Sequence, residues 1–259
     1  MPNLSLDQYD MVYNALSFTI AAMGAAFVFF LLARNTVAYK YQRVTMIAAV
    51  IVGIAAYHYV RMFASWNAAF NHTGATYTPT NERFNEAYRY ADWLLTVPLL
   101  LAELIAVLNL TAKQRSGLTT RLVIAAILMI VLGYPGEVTA DTTTRFVWGI
   151  LSTIPFVYIL YVLWGELGTV MANETPEVRD LLSNLRWLLL ASWGVYPIAY
   201  LLPFLQLDAA TALVGRQVGY SIADVVAKPI YGLMIYAIIR IKTQQDKVEA
   251  PVGALAVEH

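Results

Sequence analysis

The sequence predicts an all-α membrane protein that folds as a bundle of seven transmembrane helices. Of its 259 residues, 59% are hydrophobic and only 13% are charged, and the mean hydropathy is +0.58, outside the range of soluble globular proteins. Seven apolar stretches are long enough to span a bilayer, which takes about 20 helical residues. They lie near residues 10–33, 45–67, 87–110, 119–138, 145–170, 181–205 and 212–241.

Short polar segments separate these stretches, and none is long enough to form a second domain. We therefore expect one transmembrane domain over residues 1–243 and a disordered cytoplasmic tail over residues 244–259. Basic residues cluster after the first, third and seventh stretches and before the sixth, all on one side of the bilayer. The positive-inside rule makes that side cytoplasmic, so the N-terminus is predicted to lie outside and the C-terminus inside. The first ten residues lack the features of a cleaved signal peptide, so we expect the first span to direct insertion.

Composition also restricts the partners and cofactors. The formal net charge is zero, which gives no indication of nucleic-acid binding. The chain has no cysteine, so disulfides, thiolate metal sites and a cysteine nucleophile are excluded. Its three histidines are too far apart in sequence to suggest a metal site.

Two ionisable residues, Asp224 and Lys228, lie inside the last apolar stretch. Lys228 is roughly 20 Å from either end of that helix, too far for its side chain to reach water. Asp224 lies four residues earlier and therefore on the same helix face. A structural ion pair is one explanation. The other is a lysine converted to a Schiff base, with the carboxylate as its counterion.

The third stretch carries four polar side chains on one predicted helix face: Arg89, Asp92, Thr96 and Glu103. At about 100° per residue, Thr96 lies about 40° from Asp92 around the helix, and Glu103 returns to within about 20° of it. Apolar surroundings favour the neutral form of a carboxyl, so Glu103 is predicted to hold a proton that it can donate. Asp92, close to Arg89 and a cationic lysine, is predicted to be ionised and able to accept one. Taken alone, the Thr96 hydroxyl could simply bond back to its own helix.

A histidine and several aromatic side chains add to this polar face. His58 lies well inside the second stretch, where a buried histidine is more often a satisfied hydrogen-bonding group than a titrating one. Beside Asp92, we expect it to form a histidine–carboxylate pair. Aromatic side chains usually fill the core or the membrane interface, but these could also sandwich an extended polyene. They are Trp93, Trp148, Trp193, Tyr196 and Tyr200, with Pro98 and Pro197 as predicted helix kinks.

Four segments together resemble the microbial (type 1) rhodopsins over essentially the whole chain: DVVAKPIYG, RYADWLLTVPLLLAE, RFVWGILSTIPFVYILYVLW and WGVYP. The resemblance implies all-trans retinal bound as a protonated Schiff base on Lys228, with Asp92 and Asp224 as counterions. The triplet Asp92, Thr96 and Glu103 is similar to that of outward proton pumps of the proteorhodopsin and xanthorhodopsin group. By that similarity Asp92 is the primary proton acceptor and Glu103 the cytoplasmic donor. Chloride pumps and sodium pumps carry different triplets.

The same resemblance implies roles for further positions. His58 is similar to the histidine that pairs with the acceptor, and Leu100 occupies a position where leucine implies green absorption. Arg216 stands where archaeal pumps have one acid of an extracellular carboxylate pair. Family members form ring-like homo-oligomers, which we therefore expect here. The implied retinal pocket comprises Lys228, Trp93, Leu100, Met129, Gly133, Trp148, Gly149, Trp193, Tyr196, Pro197 and Tyr200.

Gly149 has two interpretations. Where many relatives have a second bulky tryptophan after Trp148, this chain has glycine. In xanthorhodopsin-like pumps a glycine there opens a lateral window onto the retinal ring that a hydroxylated carotenoid can fill as an antenna. Alternatively, the glycine only permits close helix packing, as is common in membranes.

The function that we predict is a light-driven outward proton pump in a prokaryotic plasma membrane, a transporter and not an enzyme. The main alternative is a photosensory rhodopsin that signals through a membrane partner. Glu103 favours the pump, because a sensor does not need rapid reprotonation from the cytoplasm. A light-gated channel or inward pump fits the paired acceptor and donor less well, and a transporter without retinal fits the motifs least.

Overall fold

The computed structural model describes residues 1–139, 141–202 and 207–249, and these residues form seven long helical segments. This confirms the predicted seven-helix fold. The segments are α1 (Leu6–Ala33), α2 (Gln42–Ala69), α3 (Ala87–Ala106), α4 (Ala112–Val138), α5 (Thr142–Met171), α6 (Pro176–Leu201) and α7, which runs through Ala209–Val225, a π-helical turn Val226–Ile230, and Tyr231–Glu249.

Side-chain caps define where several helices begin. Ser5 and Gln8 form a reciprocal capping box at the start of α1, and Thr111 and Gln114 form another at the start of α4. Asp208 accepts hydrogen bonds from the backbone N–H groups of Ala210 and Thr211, which lowers the pKa of this carboxyl because the bonds favour its charged form.

Five of the seven helices are long and apolar enough to be identified as spans by composition alone, and α3 and α6 are the other two. Helix α3 contains three ionisable residues, Arg89, Asp92 and Glu103, yet all three side chains are buried inside the protein. It can therefore cross the membrane because its polar face is turned into the bundle and not toward lipid. Helix α6 carries its charges mainly in its first turns, near the membrane surface.

The order of the helices in the bundle follows the chain. Helix α1 packs against α2, α2 against α3, α3 against α4, and α4 against α5, while α7 packs against both α6 and α1. Because α7 contacts the first helix, the bundle closes on itself. This arrangement gives α3 and α7 inward-facing surfaces on which polar groups can meet.

A small antiparallel sheet covers the end of the bundle that holds the N-terminus, which we call the N-terminal side. Strands β1 (Leu4–Ser5), β2 (Phe70–Thr73) and β3 (Thr76–Pro79) pair in the order β1-β3-β2. Gly74 adopts a φ of 65° in the tight turn between β2 and β3, a conformation that glycine reaches without strain. The Tyr9 and Tyr77 rings stack with centroids 3.6 Å apart and fix the sheet to α1. The sequence predicts only a polar loop between α2 and α3, where β2 and β3 lie.

The end of α7 also differs from its predicted limit. The helix continues through Glu249, six residues into the stretch predicted to be a disordered tail. Its last turns are held by contacts with other segments: Gln245 donates to the Thr175 hydroxyl at 3.0 Å, and Asp246 pairs with Lys40 at 2.9 Å. Residues 250–259, and the predicted end of the sixth span at 203–205, lie outside the described residues.

Candidate functional site

Lys228 lies at the centre of the bundle between two carboxylates. Its Nζ is 2.5 Å from Asp224 Oδ1 and 3.0 Å from Asp92 Oδ2, and all three side chains are almost completely buried. Lys228 stands in the π-helical turn immediately before Pro229. Proline has no N–H to continue the α-helical hydrogen bonding, so a wider turn at this point is physically reasonable. The structure thus brings together the lysine and both predicted counterions.

Asp224 is held firmly by donors on three helices besides Lys228. The hydroxyls of Tyr59 and Tyr196 each donate to its carboxylate at 2.6 Å, and the Trp93 indole N–H donates at 3.2 Å. The Arg89 guanidinium lies 3.6 Å from Oδ2. So many donors to one carboxylate stabilise its charged form.

Asp92 has far fewer contacts. Oδ2 faces Lys228, and among the described residues no hydrogen-bond donor reaches Oδ1. Lys228 and Arg89 together balance the charges of the two carboxylates, so the buried group is neutral overall when all four are ionised. Asp92 is therefore the carboxylate with room to bind another proton.

From Arg89 a continuous set of hydrogen bonds leads toward the N-terminal side. Arg89 donates to the Tyr59 hydroxyl at 2.8 Å and to Gln217 Oε1 at 2.9 Å, and Gln217 Nε2 donates to Glu86 at 2.9 Å. Tyr59, Gln217 and Glu86 are absent from the site predicted by sequence. Gln217 could have been identified from the sequence, because a side-chain amide inside an apolar span requires polar partners.

Arg216, predicted to replace an acid of archaeal pumps, lies between two acids in this structure. It donates to Glu86 at 2.8 Å and to Glu137 at 2.9 Å. Glu137 is 5% exposed and comes from the end of α4. The N-terminal side of the bundle therefore has a carboxylate pair, built around a guanidinium from α7, that sequence reasoning missed.

The Thr96 hydroxyl donates to the backbone carbonyl of Asp92 at 2.9 Å. This bond lies within α3, as one of the two alternatives for Thr96 predicted, and it does not involve the Asp92 carboxylate. Thr96 is completely buried, so it still lies in the interior beside the acceptor.

Glu103 is completely buried. It lies on α3 roughly 16 Å from Asp92 along the helix axis, toward the end of the bundle opposite the N-terminal side. Neither of its carboxylate oxygens has a hydrogen-bond partner among the described residues. Its neighbours in sequence, Leu101, Leu104 and Ile105, are also buried. A charged carboxylate in such surroundings would be very costly, so the arrangement suits a carboxyl that holds its proton.

His58 is only partly buried, and the structure does not bring it into hydrogen-bond contact with Asp92. Its Nδ1 lies 3.0 Å from the carbonyl oxygen of Ile54, one turn earlier in α2. The ring also packs edge-on against Tyr57, with centroids 5.2 Å apart. The local bond to Ile54 explains the ring orientation, and the predicted pair with Asp92 stays a prediction.

A cavity of about 310 Å³ lies between α3, α4, α5, α6 and α7, on the far side of Trp93 and Tyr196 from Asp224. Trp93 and Tyr196 both line it and bond to Asp224, so these two side chains lie between the cavity and the charged group. Eight of the residues predicted to form the retinal pocket line this cavity: Trp93, Met129, Gly133, Gly149, Trp193, Tyr196, Pro197 and Tyr200. Lys228, Leu100 and Trp148 are not among its lining residues, and their contact with retinal stays a prediction. Leu100 is buried, and its carbonyl accepts a bond from Tyr231 at 2.7 Å.

The surroundings of Gly149 are compatible with both of its interpretations, and the antenna window stays a prediction. A Cβ at this position would lie 2.9 Å from Cε1 of Tyr200, so the glycine leaves room for the Tyr200 ring, which reaches from α6 to α5. The cavity also reaches the lipid-facing side of these helices, because Phe146 and Ile150, about half exposed, belong to its lining. Such a cavity can hold an elongated apolar group and can also admit contact from the membrane.

The chain matches a family model described as a bacteriorhodopsin-like protein over residues 13–242. It is 32% identical to the green-light absorbing proteorhodopsin of gamma-proteobacterium EBAC31A08 over 234 residues, which cover 89% of this chain and 87% of that protein. The solved structure of xanthorhodopsin, described as a light-driven ion pump with dual chromophore, matches with 50% identity and a TM-score of 0.91. Thermophilic rhodopsin matches with 52% identity and a TM-score of 0.91. Each of these two matches covers 95% of this chain and 99% of the solved chain.

Proposed function

Because this chain belongs to the bacteriorhodopsin-like family of multi-pass membrane proteins, we propose that it is a light-driven pump that moves protons out of a prokaryotic cell. The observation that carries the proposal is the burial of Lys228 between Asp92 and Asp224, with a second carboxyl, Glu103, farther along the Asp92 helix. The similarity to a proteorhodopsin and to a light-driven ion pump supports the same activity.

The residues around Lys228 fit retinal. The cavity behind Trp93 and Tyr196 is lined by aromatic and aliphatic side chains, and its volume of about 310 Å³ lies at the lower end of the range of small-molecule sites, about 300–1,000 Å³. All-trans retinal, joined to Lys228 as a protonated Schiff base, supplies light absorption and a light-dependent fall in the proton affinity of the Lys228 nitrogen. Trp93, Trp193 and Tyr196 would hold the polyene between flat surfaces.

Asp92 accepts the proton that leaves the Lys228 nitrogen. It is 3.0 Å from that nitrogen and has few other contacts, whereas Asp224 keeps its charge because Tyr59, Tyr196 and Trp93 all donate to it. Arg89 fixes Tyr59 and neutralises part of the charge of the counterions. His58 adjusts the proton affinity of Asp92 from α2, and buried Thr96 holds the α3 backbone at the acceptor.

Glu103 returns a proton to the Lys228 nitrogen from the opposite side. Its carboxyl is buried without charged partners among the described residues, so it holds a proton until the nitrogen needs one. The positive-inside rule places the N-terminal side outside and the Glu103 side in the cytoplasm. Protons therefore enter through Glu103 and leave past Asp92, which gives outward transport.

A second chromophore could act as a light-harvesting antenna for the pump. The cavity reaches the lipid-facing surface beside Gly149, where a hydroxylated carotenoid could approach the retinal ring. Xanthorhodopsin, which is 50% identical to this chain, is an ion pump with a dual chromophore. We propose that Gly149 admits such an antenna.

Light-induced pH changes in cells that produce this protein and receive retinal would test the pump. We expect the medium to acidify in light and the signal to vanish with a protonophore. Formation of a coloured pigment that hydroxylamine bleaches would separately establish the retinal bond. Light-induced alkalinisation, or a bleachable pigment that causes no pH change, would contradict the proposal.

A further inference from the structure

A buried ion pair lies at the end of the bundle opposite the N-terminal side, away from the lysine site. Lys242 of α7 and Glu174, which precedes α6, are 4% and 8% exposed, and Lys242 Nζ lies 2.8 Å from the Glu174 carboxylate. Neither residue takes part in the mechanism described above. Buried ion pairs are costly to assemble, so they contribute to stability only when further hydrogen bonds satisfy their atoms.

Those further bonds join three separate segments of the chain. Lys242 Nζ also donates to the backbone carbonyl of Val107, the residue that follows α3, at 2.8 Å. Asn109 donates to Glu174 twice, from its backbone N–H at 3.1 Å and from its side-chain amide at 3.2 Å. We call Lys242, Glu174, Asn109 and the Val107 carbonyl the C-terminal clasp. It fastens the end of α3 to the beginning of α6 and to α7.

The Val107 carbonyl of the clasp lies four residues beyond Glu103, immediately after the end of α3. From Leu104 to Leu108 every residue except the partly buried Ala106 is at most 2% exposed. Glu103 itself has no exposed surface in this closed arrangement. A proton from the aqueous phase therefore cannot reach Glu103 until the segments that cover it separate.

We propose that the C-terminal clasp controls proton uptake: it keeps Glu103 sealed at rest and must open before Glu103 can be reprotonated. This inference rests on the proposed pump and assigns positioning roles to Lys242, Glu174 and Asn109. The clasp fastens the chain just beyond Glu103 to α7 and to Glu174 before α6, so breaking it lowers the barrier to separating these segments. It also prevents a proton from returning to the cytoplasm while the Lys228 nitrogen is unprotonated.

The proposal is tested by the rate of flash-induced proton uptake in the full-length pigment, followed with a pH-sensitive dye. Glu174→Gln removes the charge but keeps the side-chain shape, and the double variant Glu174→Gln with Lys242→Met leaves no unpaired charge. We expect each to accelerate uptake by about tenfold, which corresponds to about 1.4 kcal/mol in the barrier. Their resting absorption spectra should match that of the wild type, since the lysine site is unaltered.

Lys40→Gln is the matched control. Lys40 forms an ion pair with Asp246 at 2.9 Å at the same end of the bundle and also ties α7 to another segment. That pair is exposed, so its loss should not change the uptake rate. Uptake that is unchanged or slower in the clasp variants, or equally accelerated in Lys40→Gln, overturns the proposal.

A second measurement uses the wild-type protein and does not depend on how the variants fold. The Asn109 N–H bonds directly to Glu174, so hydrogen exchange of residues 107–110 reports whether the clasp is closed. Exchange should be faster in continuous light than in the dark, and equal rates would contradict the clasp. A pigment that pumps but shows equal rates would refute the clasp alone. A pigment that moves no protons would refute the pump and, with it, the clasp.

Discussion

Asp92 and Asp224 face the same lysine nitrogen, at 3.0 and 2.5 Å, but only Asp224 is also held by two tyrosines and a tryptophan. The site is therefore asymmetric even though it holds two identical functional groups. Protonation of Asp224 would disrupt several charge-assisted hydrogen bonds, whereas protonation of Asp92 would disrupt only its contact with the lysine. This difference supports the proposal that Asp92 of α3 takes the mobile proton while Asp224 of α7 keeps its charge.

Glu103→Gln should slow the return of the pigment to its resting state by at least about tenfold and shift its colour little. The amide cannot supply a proton, and the side chain is roughly 16 Å along α3 from Asp92. Flash photolysis at neutral pH measures both effects. Glu166→Gln, which alters a partly exposed glutamate paired with Arg121, is the control and should leave the cycle unchanged. An unaltered cycle in Glu103→Gln would show that Glu103 is not the donor.

Gly149→Trp should abolish energy transfer from an added hydroxylated carotenoid. The indole would fill the lipid-facing opening of the cavity beside Tyr200, whose Cε1 already lies 2.9 Å from the position of a Cβ. The excitation spectrum of the pigment measures the transfer. Gly24→Trp is a suitable control, since no atom lies within 4 Å of a Cβ there. Carotenoid bands that persist in Gly149→Trp, or that are absent from the wild type, would refute the antenna.

Tyr59→Phe should destabilise the pigment, because Tyr59 is completely buried, donates to Asp224 and accepts from Arg89. Loss of a hydrogen bond to a charged group costs about 1.5–3 kcal/mol, so we expect a lower temperature of thermal bleaching. Tyr13→Phe, which alters an exposed tyrosine of α1, should bleach at the wild-type temperature. Equal bleaching temperatures for Tyr59→Phe and wild type would show that this contact contributes little.

The N-cap of α7 should respond to acid. Hydrogen bonds from Ala210 and Thr211 lower the pKa of Asp208, so the cap is fully formed above the usual aspartate range and is lost only as the pH falls through the lowered pKa. Hydrogen exchange of residues 210–211, corrected for its intrinsic pH dependence, should then lose protection in acid. In Asp208→Asn, which can cap without titrating, protection should not vary with pH. The same acid-induced loss in Asp208→Asn would exclude Asp208 as its cause.

The helices and the polar face of α3 could be predicted from sequence because both depend on local patterns. Hydropathy defines a span, and a spacing of four or eleven residues places side chains on one helix face. For the same reason Lys228 and Asp224 could be paired from their spacing alone. These residues are near each other in the chain, so no knowledge of helix packing is needed.

Contacts between helices could not be predicted in the same way. The Tyr59–Arg89–Gln217 network, the Glu86–Arg216–Glu137 cluster and the clasp each depend on the rotation and depth of different helices. Lys228, Leu100 and Trp148 are assigned to the retinal pocket by family resemblance and do not line the cavity, so their contact with retinal stays a prediction. His58 likewise bonds within its own helix, at Ile54, and not to Asp92 across the bundle.

Infrared difference spectroscopy of the illuminated pigment tests the central claim most directly. A proton transferred from the Lys228 nitrogen to Asp92 creates a protonated carboxyl, whose C=O stretching band should appear as the nitrogen loses its proton. We expect this band to be absent from Asp92→Asn, which should also shift the resting colour to the red. A carboxyl band that persists in Asp92→Asn and disappears in Asp224→Asn would contradict the account, because it would make Asp224 the acceptor.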